Sequence, residues 1–225
     1  MLGRLDGAQV GSSGRGAKPQ VQPTNPNAVN EFYNGLLKCL NRGWPAAIAA
    51  AGYEFHQPAM AVVFATFNTP CGKSAPYVSF YCSSDETIYL RGDEILISNR
   101  DYGPIGASWW ASHVGTHEYG HYVQQLTGMM TAYQNLYAAA PDQAAKDQLE
   151  RRLELQASCL GHVFLTANRR TYPITAQMRS DWGWQIIKIP NHGSEANQRY
   201  WINRAVQLKR PGACNTWAAP AAQVS

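Results

Sequence analysis

Residues Thr116 to Gln125 read THEYGHYVQQ and lie inside a stretch, from near Ala107 to Met129, whose pattern predicts one long helix. These ten residues are poorly chosen for a helix. Two histidines, a β-branched threonine and a glycine all weaken it, and Gly120 alone costs about 1 kcal/mol relative to alanine. A chain that keeps them here is constrained by something other than helix formation. His117 and His121 are one helical turn apart, so they share a face with Cβ atoms about 5–6 Å apart.

At that spacing both imidazoles converge on one Zn²⁺ at about 2.0–2.1 Å. Glu118, one position round the helix, reaches a water in an open coordination position without ligating the ion itself. The metal lowers that water's pKa from about 15.7 to about 7, and the carboxylate takes its proton as it attacks a carbonyl. Gly120 lets another part of the chain pack closely beside the metal. His113 continues the series, but the helical span from His113 to His121 is about 12 Å, too far for both to reach one tetrahedral ion. Either His113/His117 or His117/His121 can pair, and Glu118 has the proper relation only to the second pair. His113 is therefore expected at a cleft rim, behind a ligand, or as a satisfied surface histidine.

Composition sets the frame around this site. The chain has 225 residues, 45% of them hydrophobic and 15% charged, enough for one ordinary domain with a proper core. A net charge of +4 with no basic stripe and no interleaved aromatics argues against nucleic acid as a partner. No apolar run approaches the roughly 18 residues of a membrane span. Residues 1–27 are rich in Gly, Ser, Pro and Gln without apolar periodicity, and read as a disordered lead-in lacking the apolar core of an export signal. A single domain over 28–217 and a tail over 218–225 follow.

Val29, Phe32, Tyr33, Leu36, Leu37 and Leu40 recur at helical spacing behind Asn27 as N-cap, and a short helix follows Trp44-Pro45. AVVFATF (61–67), YVSFYCS (77–83), TIYL (87–90) and EILIS (94–98) read as strands, with RGD (91–93) as a hairpin turn rather than an adhesion motif. A long helix begins at Pro141 and a last one at Ser194. Strands first and helices afterwards give an α+β fold, a small N-terminal strand region packed on a mainly helical body that carries the HExxH helix.

VGTHEYGHYVQQLTG, LELQASCLGHVF, NHGSEANQRYWINRA and ACNTW occur in order, with PCG and FYCSSDETIYL ahead of them. Together they resemble the bacterial neutral zinc metallopeptidase family, over roughly residues 60–217. The resemblance implies a zincin-like domain of the gluzincin type, with one Zn²⁺ per chain on His117, His121 and Glu154, and peptide or protein substrates. On spacing alone Glu154 reads as a surface glutamate paired with Arg151. The family pattern usually has aspartate where this chain has Ser158, a position that orients a zinc-bound histidine through its other ring nitrogen.

The reading is a zinc endopeptidase with Glu118 as general base, or alternatively a catalytically weak zinc-bound interaction protein of the same fold. His192, in a loop before the last helix, is the first candidate donor to the developing oxyanion, ahead of Tyr200 and Arg199. Tyr172, Trp182 and Trp184 read as core or cleft wall. Five cysteines show no zinc-cluster spacing. Cys71 and Cys82 can close a hairpin-like segment, Cys159 and Cys214 can tie the C-terminal part to the Glu154 helix, and Cys39 is left over. Two disulfides suit a secreted or cell-envelope protein, whose export signal is not present in this chain.

Overall fold

A computed structural model of the chain describes residues 4–12, 21–172 and 186–225. The architecture is α+β, a small sheet beside a helical body, as the order of elements in the sequence implies. Helix α1 (Pro26–Gly43) is capped by the Asn25 side chain, which accepts from the Ala28 amide at 3.0 Å. Pro26 rather than Asn27 opens the helix, because its missing N–H is one the first turn leaves unpaired anyway. The six apolar residues at helical spacing form the buried face of α1, with Leu37 at its edge. α2 (Pro45–Ala50) follows at once.

Strands β1 (Ala59–Val63), β4 (Phe80–Cys82) and β5 (Thr87–Arg91) form one sheet in the order β1-β5-β4. β1 runs parallel to β5 from Ala59↔Thr87 to Val63↔Arg91, and β4 antiparallel to it from Phe80↔Tyr89 to Cys82↔Thr87. Strand β4 is thus an edge. Between β1 and β4, the two-residue strands β2 (Asn68–Thr69) and β3 (Gly72–Lys73) make a separate hairpin.

The segment EILIS is not a strand, and RGD is not a hairpin turn. Gly92 starts α3 (Gly92–Leu126), with Asp93 and Glu94 in its first turn, where carboxylates favour a helix N-terminus. The helix bends at Gly103, whose φ of 73° and ψ of 177° break the ladder ahead of Pro104. That Gly-Pro step hides the continuity of the two halves from a periodicity reading. Beyond the bend, every residue from Ala111 to Gln124 is buried, polar and apolar alike. A helix buried on all sides cannot send polar side chains to water, so each must find a partner inside or stay uncharged there.

α4 (Met129–Ala138) leads to α5 (Gln143–Ala167), capped by Asp142 on the Ala145 amide at 2.8 Å. α6 (Glu195–Leu208) is capped by Ser194, the start expected from sequence. Helices α3 and α5 cross at very short range. A Cβ on Gly120 would stand 2.6 Å from the Ala157 carbonyl oxygen, and one on Gly161 would stand 2.8 Å from Thr116 Oγ1. Each helix therefore offers a glycine to the backbone of the other.

The ends of the chain are drawn onto this body. Leu5, Ala8 and Val10, inside the stretch read as a disordered lead-in, belong to the core, and the Gly11 amide donates to the Gly43 carbonyl at 2.9 Å. At the other end Val224 is fully buried and the Ser194 amide donates to the Ser225 carbonyl at 2.8 Å. Both expected disulfides, Cys71–Cys82 and Cys159–Cys214, are formed, and Cys39 is a buried thiol. No described helix is long and apolar enough to cross a membrane.

Candidate metal centre

The α3–α5 crossing brings Glu154 against the two histidines of α3. His117 Nε2 and His121 Nε2 lie 3.1 Å apart, and each is 3.1 Å from Glu154 Oε2. Three donors bound at about 2.0–2.1 Å with tetrahedral angles lie roughly 3.3–3.4 Å from one another. The triangle is thus close to the size a zinc ion requires, and two imidazoles with one carboxylate are a donor set that suits it. Glu154 faces inward and makes no pair with Arg151, whose guanidinium donates instead to the Val224 carbonyl at 3.0 Å.

The far sides of both rings are held in the sense that metal binding needs. His117 Nδ1 is 2.9 Å from Ser158 Oγ, one turn along α5 from Glu154. His121 Nδ1 is 2.9 Å from Gln124 Oε1. The Gln124 amide nitrogen donates to the Leu153 carbonyl at 2.9 Å and to Gln156 Oε1 at 3.0 Å, so its oxygen must be the acceptor. With a metal bound, His121 would carry its one proton on Nδ1 and turn the Nε2 lone pair to the ion. Sequence reasoning missed Gln124. The available signal was a fully polar side chain one turn beyond His121 on the ligand face.

Glu118 is 6% exposed, and its carboxylate shares with His117 and His121 a region in which donor atoms stand within 4.8 Å of one another. Burial pushes its carboxyl up to about 8, against the pull of His121 and of the Tyr81 backbone N–H from edge strand β4. A cation at the centre acts in the same direction as that pull. Burial alone would lower His121, but the charge and hydrogen bond of Glu154 raise it to about 9. His117, with burial dominant, falls to about 4. For Glu154, burial is outweighed by His121, His192 and the hydrogen bond of His117, which hold it well below the usual carboxylate range. One ionised carboxylate and one imidazolium proton thus occupy the space where a dication fits.

His192 comes from a short turn, Pro190–His192, ahead of α6. Its Nε2 is 3.1 Å from Glu154 Oε2 and its ring stacks on His117 with centroids 5.4 Å apart. His117, Glu154 and His192 form a second set of donor atoms within 4.8 Å. The other candidate donors stand elsewhere. Arg199 is paired with Glu195 at 2.9 Å, and Tyr200 is 38% exposed, edge-on to Trp201. Tyr172 is buried against Phe164, while Trp182 and Trp184 lie outside the described residues.

His113 is neither at the rim nor on the surface. It is 1% exposed, with neither ring nitrogen hydrogen-bonded, between the rings of Trp110 at 5.5 Å and His162 at 5.1 Å. α5 covers the His113 side through His162.

A small mixed sheet beside helices, one of which presents His-Glu-x-x-His to a glutamate on the next long helix, is the arrangement of a zincin-like domain. The family follows from sequence comparison. The chain belongs to the family described as "Putative neutral zinc metallopeptidase", matched over residues 3–177. That span takes in the N-terminal residues found in the core and the helices that carry His117, His121 and Glu154, and ends before His192. The chain is similar to the uncharacterized protein YpfJ of Escherichia coli, 25% identical over 213 residues that cover 86% of this chain and 73% of that protein. It is also similar to the uncharacterized protein Rv2575 of Mycobacterium tuberculosis, 32% identical over 194 residues, 73% of this chain and 64% of that protein. No solved structure matches.

Proposed function

We propose that the protein is a zinc-dependent endopeptidase, with one ion per chain held by His117, His121 and Glu154. The observation that carries this reading is the triangle of 3.1 Å sides among the three donor atoms, with Glu118 set beside it on the same helix. A bound zinc ion supplies Lewis acidity, polarising the scissile carbonyl and making a water acidic enough to attack near neutral pH. Glu118 takes the proton of that water and delivers it to the departing amine, so the carboxylate ends the cycle as it began. His192, stacked on His117 and reaching Glu154, donates from Nε2 to the oxyanion that develops on the carbonyl. Ser158 and Gln124 fix the ring planes of the two histidines. Two disulfides fit an extracytoplasmic protein acting on peptides or proteins there.

The test is Glu118→Gln in zinc-loaded protein. It keeps close to one ion per chain by metal analysis and lowers hydrolysis of a casein-like substrate by at least about a hundredfold, because only proton transfer is lost. A variant that loses its metal would make Glu118 a ligand and overturn the assignment. One observation favours a second reading, a zinc-bound interaction protein of weak activity. Ser158 holds His117 with a neutral hydroxyl, at a position where the family resemblance leads to the expectation of aspartate. Absence of chelator-sensitive, zinc-restored hydrolysis decides for that reading.

A further inference from the structure

Upstream of the metal-facing histidines, a cavity of about 510 Å³ lies between α3 and the segment 186–189, with Tyr77, Ile97, Tyr102, Trp110 and Ile187 among its walls. That volume falls within the roughly 300–1,000 Å³ of specific ligand pockets. Three connections tie it to the candidate centre. Trp110 precedes His117 by two helical turns, about 10 Å, and the rings of Trp110, His113 and His117 follow one another at 5.5 and 6.3 Å. The wall at 186–189 runs directly into the turn that carries His192. Val78, also in the wall, lies just ahead of edge strand β4, whose Tyr81 N–H faces Glu118.

The walls are mainly apolar and aromatic, with the carboxylates of Glu94 and Asp101 and the ammonium of Lys188 also among them. Glu94 accepts the Trp110 indole N–H on Oε1 at 2.8 Å, and among the described residues it makes no ion pair. Arg91 is committed elsewhere, to Asp93 at 2.9 and 2.5 Å and to the Ala75 carbonyl at 3.1 Å. On the rim, exposed Asp101 is paired with Arg100, and Lys188 is exposed. Burial pushes the Glu94 carboxyl up to about 7, with Asp93 adding to the rise and the Trp110 hydrogen bond and the Arg91 charge only partly opposing it. An incoming cation removes that cost.

We propose that this cavity is a specificity pocket that takes an arginine side chain of the peptide substrate, with the guanidinium on Glu94. The inference rests on the peptidase reading above. Arginine fits better than lysine because its flat, weakly hydrated guanidinium stacks on aromatic faces while pairing with a carboxylate in two places. An extended peptide rises about 3.3 Å per residue. A long side chain spanning part of the 10 Å therefore places the arginine within about two residues of the cleaved bond.

The experiment uses zinc-loaded protein and a mixed peptide library, with products sequenced by mass spectrometry. Arginine is enriched at one fixed position within about two residues of the cleavage point. Two peptides that differ only in arginine or norleucine at that position are then compared. Wild type prefers arginine by at least about tenfold in kcat/KM. Glu94→Gln, which still accepts from Trp110, cuts that ratio at least about tenfold, and Ile97→Trp, which fills the cavity, lowers kcat/KM for both peptides. No enrichment, or equal losses on both peptides in Glu94→Gln, overturns the pocket. If wild type cleaves neither peptide, the peptidase reading fails, and titration of the same peptides into the zinc-loaded protein decides the pocket. Tighter binding of the arginine peptide that Glu94→Gln abolishes sustains it; equal binding of both sinks it.

Discussion

The Ser158 hydroxyl sits 2.9 Å from Nδ1 of His117, across the interface where α5 crosses α3. A hydroxyl at this place orients the ring but adds no negative charge behind it. A carboxylate there would make Nε2 a stronger donor to a metal. Ser158→Asp is therefore expected to raise zinc affinity or turnover, within the roughly 10–100-fold that such partners of a ligand control. Titration of zinc against a competing chelator measures the first, and peptide hydrolysis the second. An unchanged titration with an unchanged rate would remove this contact from the function.

Glu154 and His113 separate the proposed metal site from its surroundings. Glu154 Oε2 touches the Nε2 atoms of three histidines, whereas His113 has no hydrogen-bond partner at either nitrogen. Catalytic zinc sites use three protein ligands and one open position, and two histidines alone hold the ion weakly. Glu154→Ala should lose zinc and activity together. His113→Ala should keep the metal, even at some loss of stability from the cavity it leaves. Metal content after dialysis checks both, and a Glu154→Ala protein that retains one tightly bound ion would refute the ligand set.

Gly120 tests the crossing itself. Alanine there should help an isolated helix by about 1 kcal/mol. In the folded protein its Cβ would meet the Ala157 carbonyl oxygen at 2.6 Å and Cα at 2.9 Å, both backbone atoms that cannot swing away. The helices must separate, and overpacking of this kind costs about 1–3 kcal/mol. Gly120→Ala is expected to lower the urea midpoint and weaken zinc binding, because separation carries Glu154 away from the histidines. A gain in stability with unaltered zinc affinity would show that the close approach is not required.

Much of this site was legible because a helix imposes its own geometry. His117, Glu118 and His121 follow from one turn of α3, and Gly120 announces a close crossing by being small where a helix prefers larger residues. Glu154 was different. Nothing local distinguishes it from a surface glutamate, and only the family resemblance pointed inward. The reading failed where local pattern and long-range packing disagree. Ile95, Leu96 and Ile97 look like a strand, yet acidic residues in the first turn and docking against the core make them helix. Leu5, Ala8 and Val10 carry no periodicity, and they are buried because distant segments receive them, Gly43 through a backbone bond and Gly212 through close contact with Asp6.

His113 gives the protein an acid limb that can be isolated. Burial, reinforced by the neighbouring imidazoles of His162, His117 and His192, holds its pKa well below 6.5 in the folded state. The unfolded chain titrates near the ordinary value, about 6.5. Below that pH the unfolded state binds a proton at this position that the folded state refuses, so stability is fully present above about 6.5 and falls as pH drops toward the depressed folded value. The slope contributed by one such group approaches about 1.4 kcal/mol per pH unit. Replacing His113 by leucine removes two buried nitrogens that lack hydrogen bonds and cannot be charged. His113→Leu should therefore hold or raise stability at pH 8, and the difference from wild type should widen in its favour from pH 6.5 to 5. His117, His121 and His192 are present in both proteins, so their own titration enters both curves. Urea unfolding across the range reads it directly, and parallel curves for the two proteins would mean that His113 does not stay neutral when the chain folds.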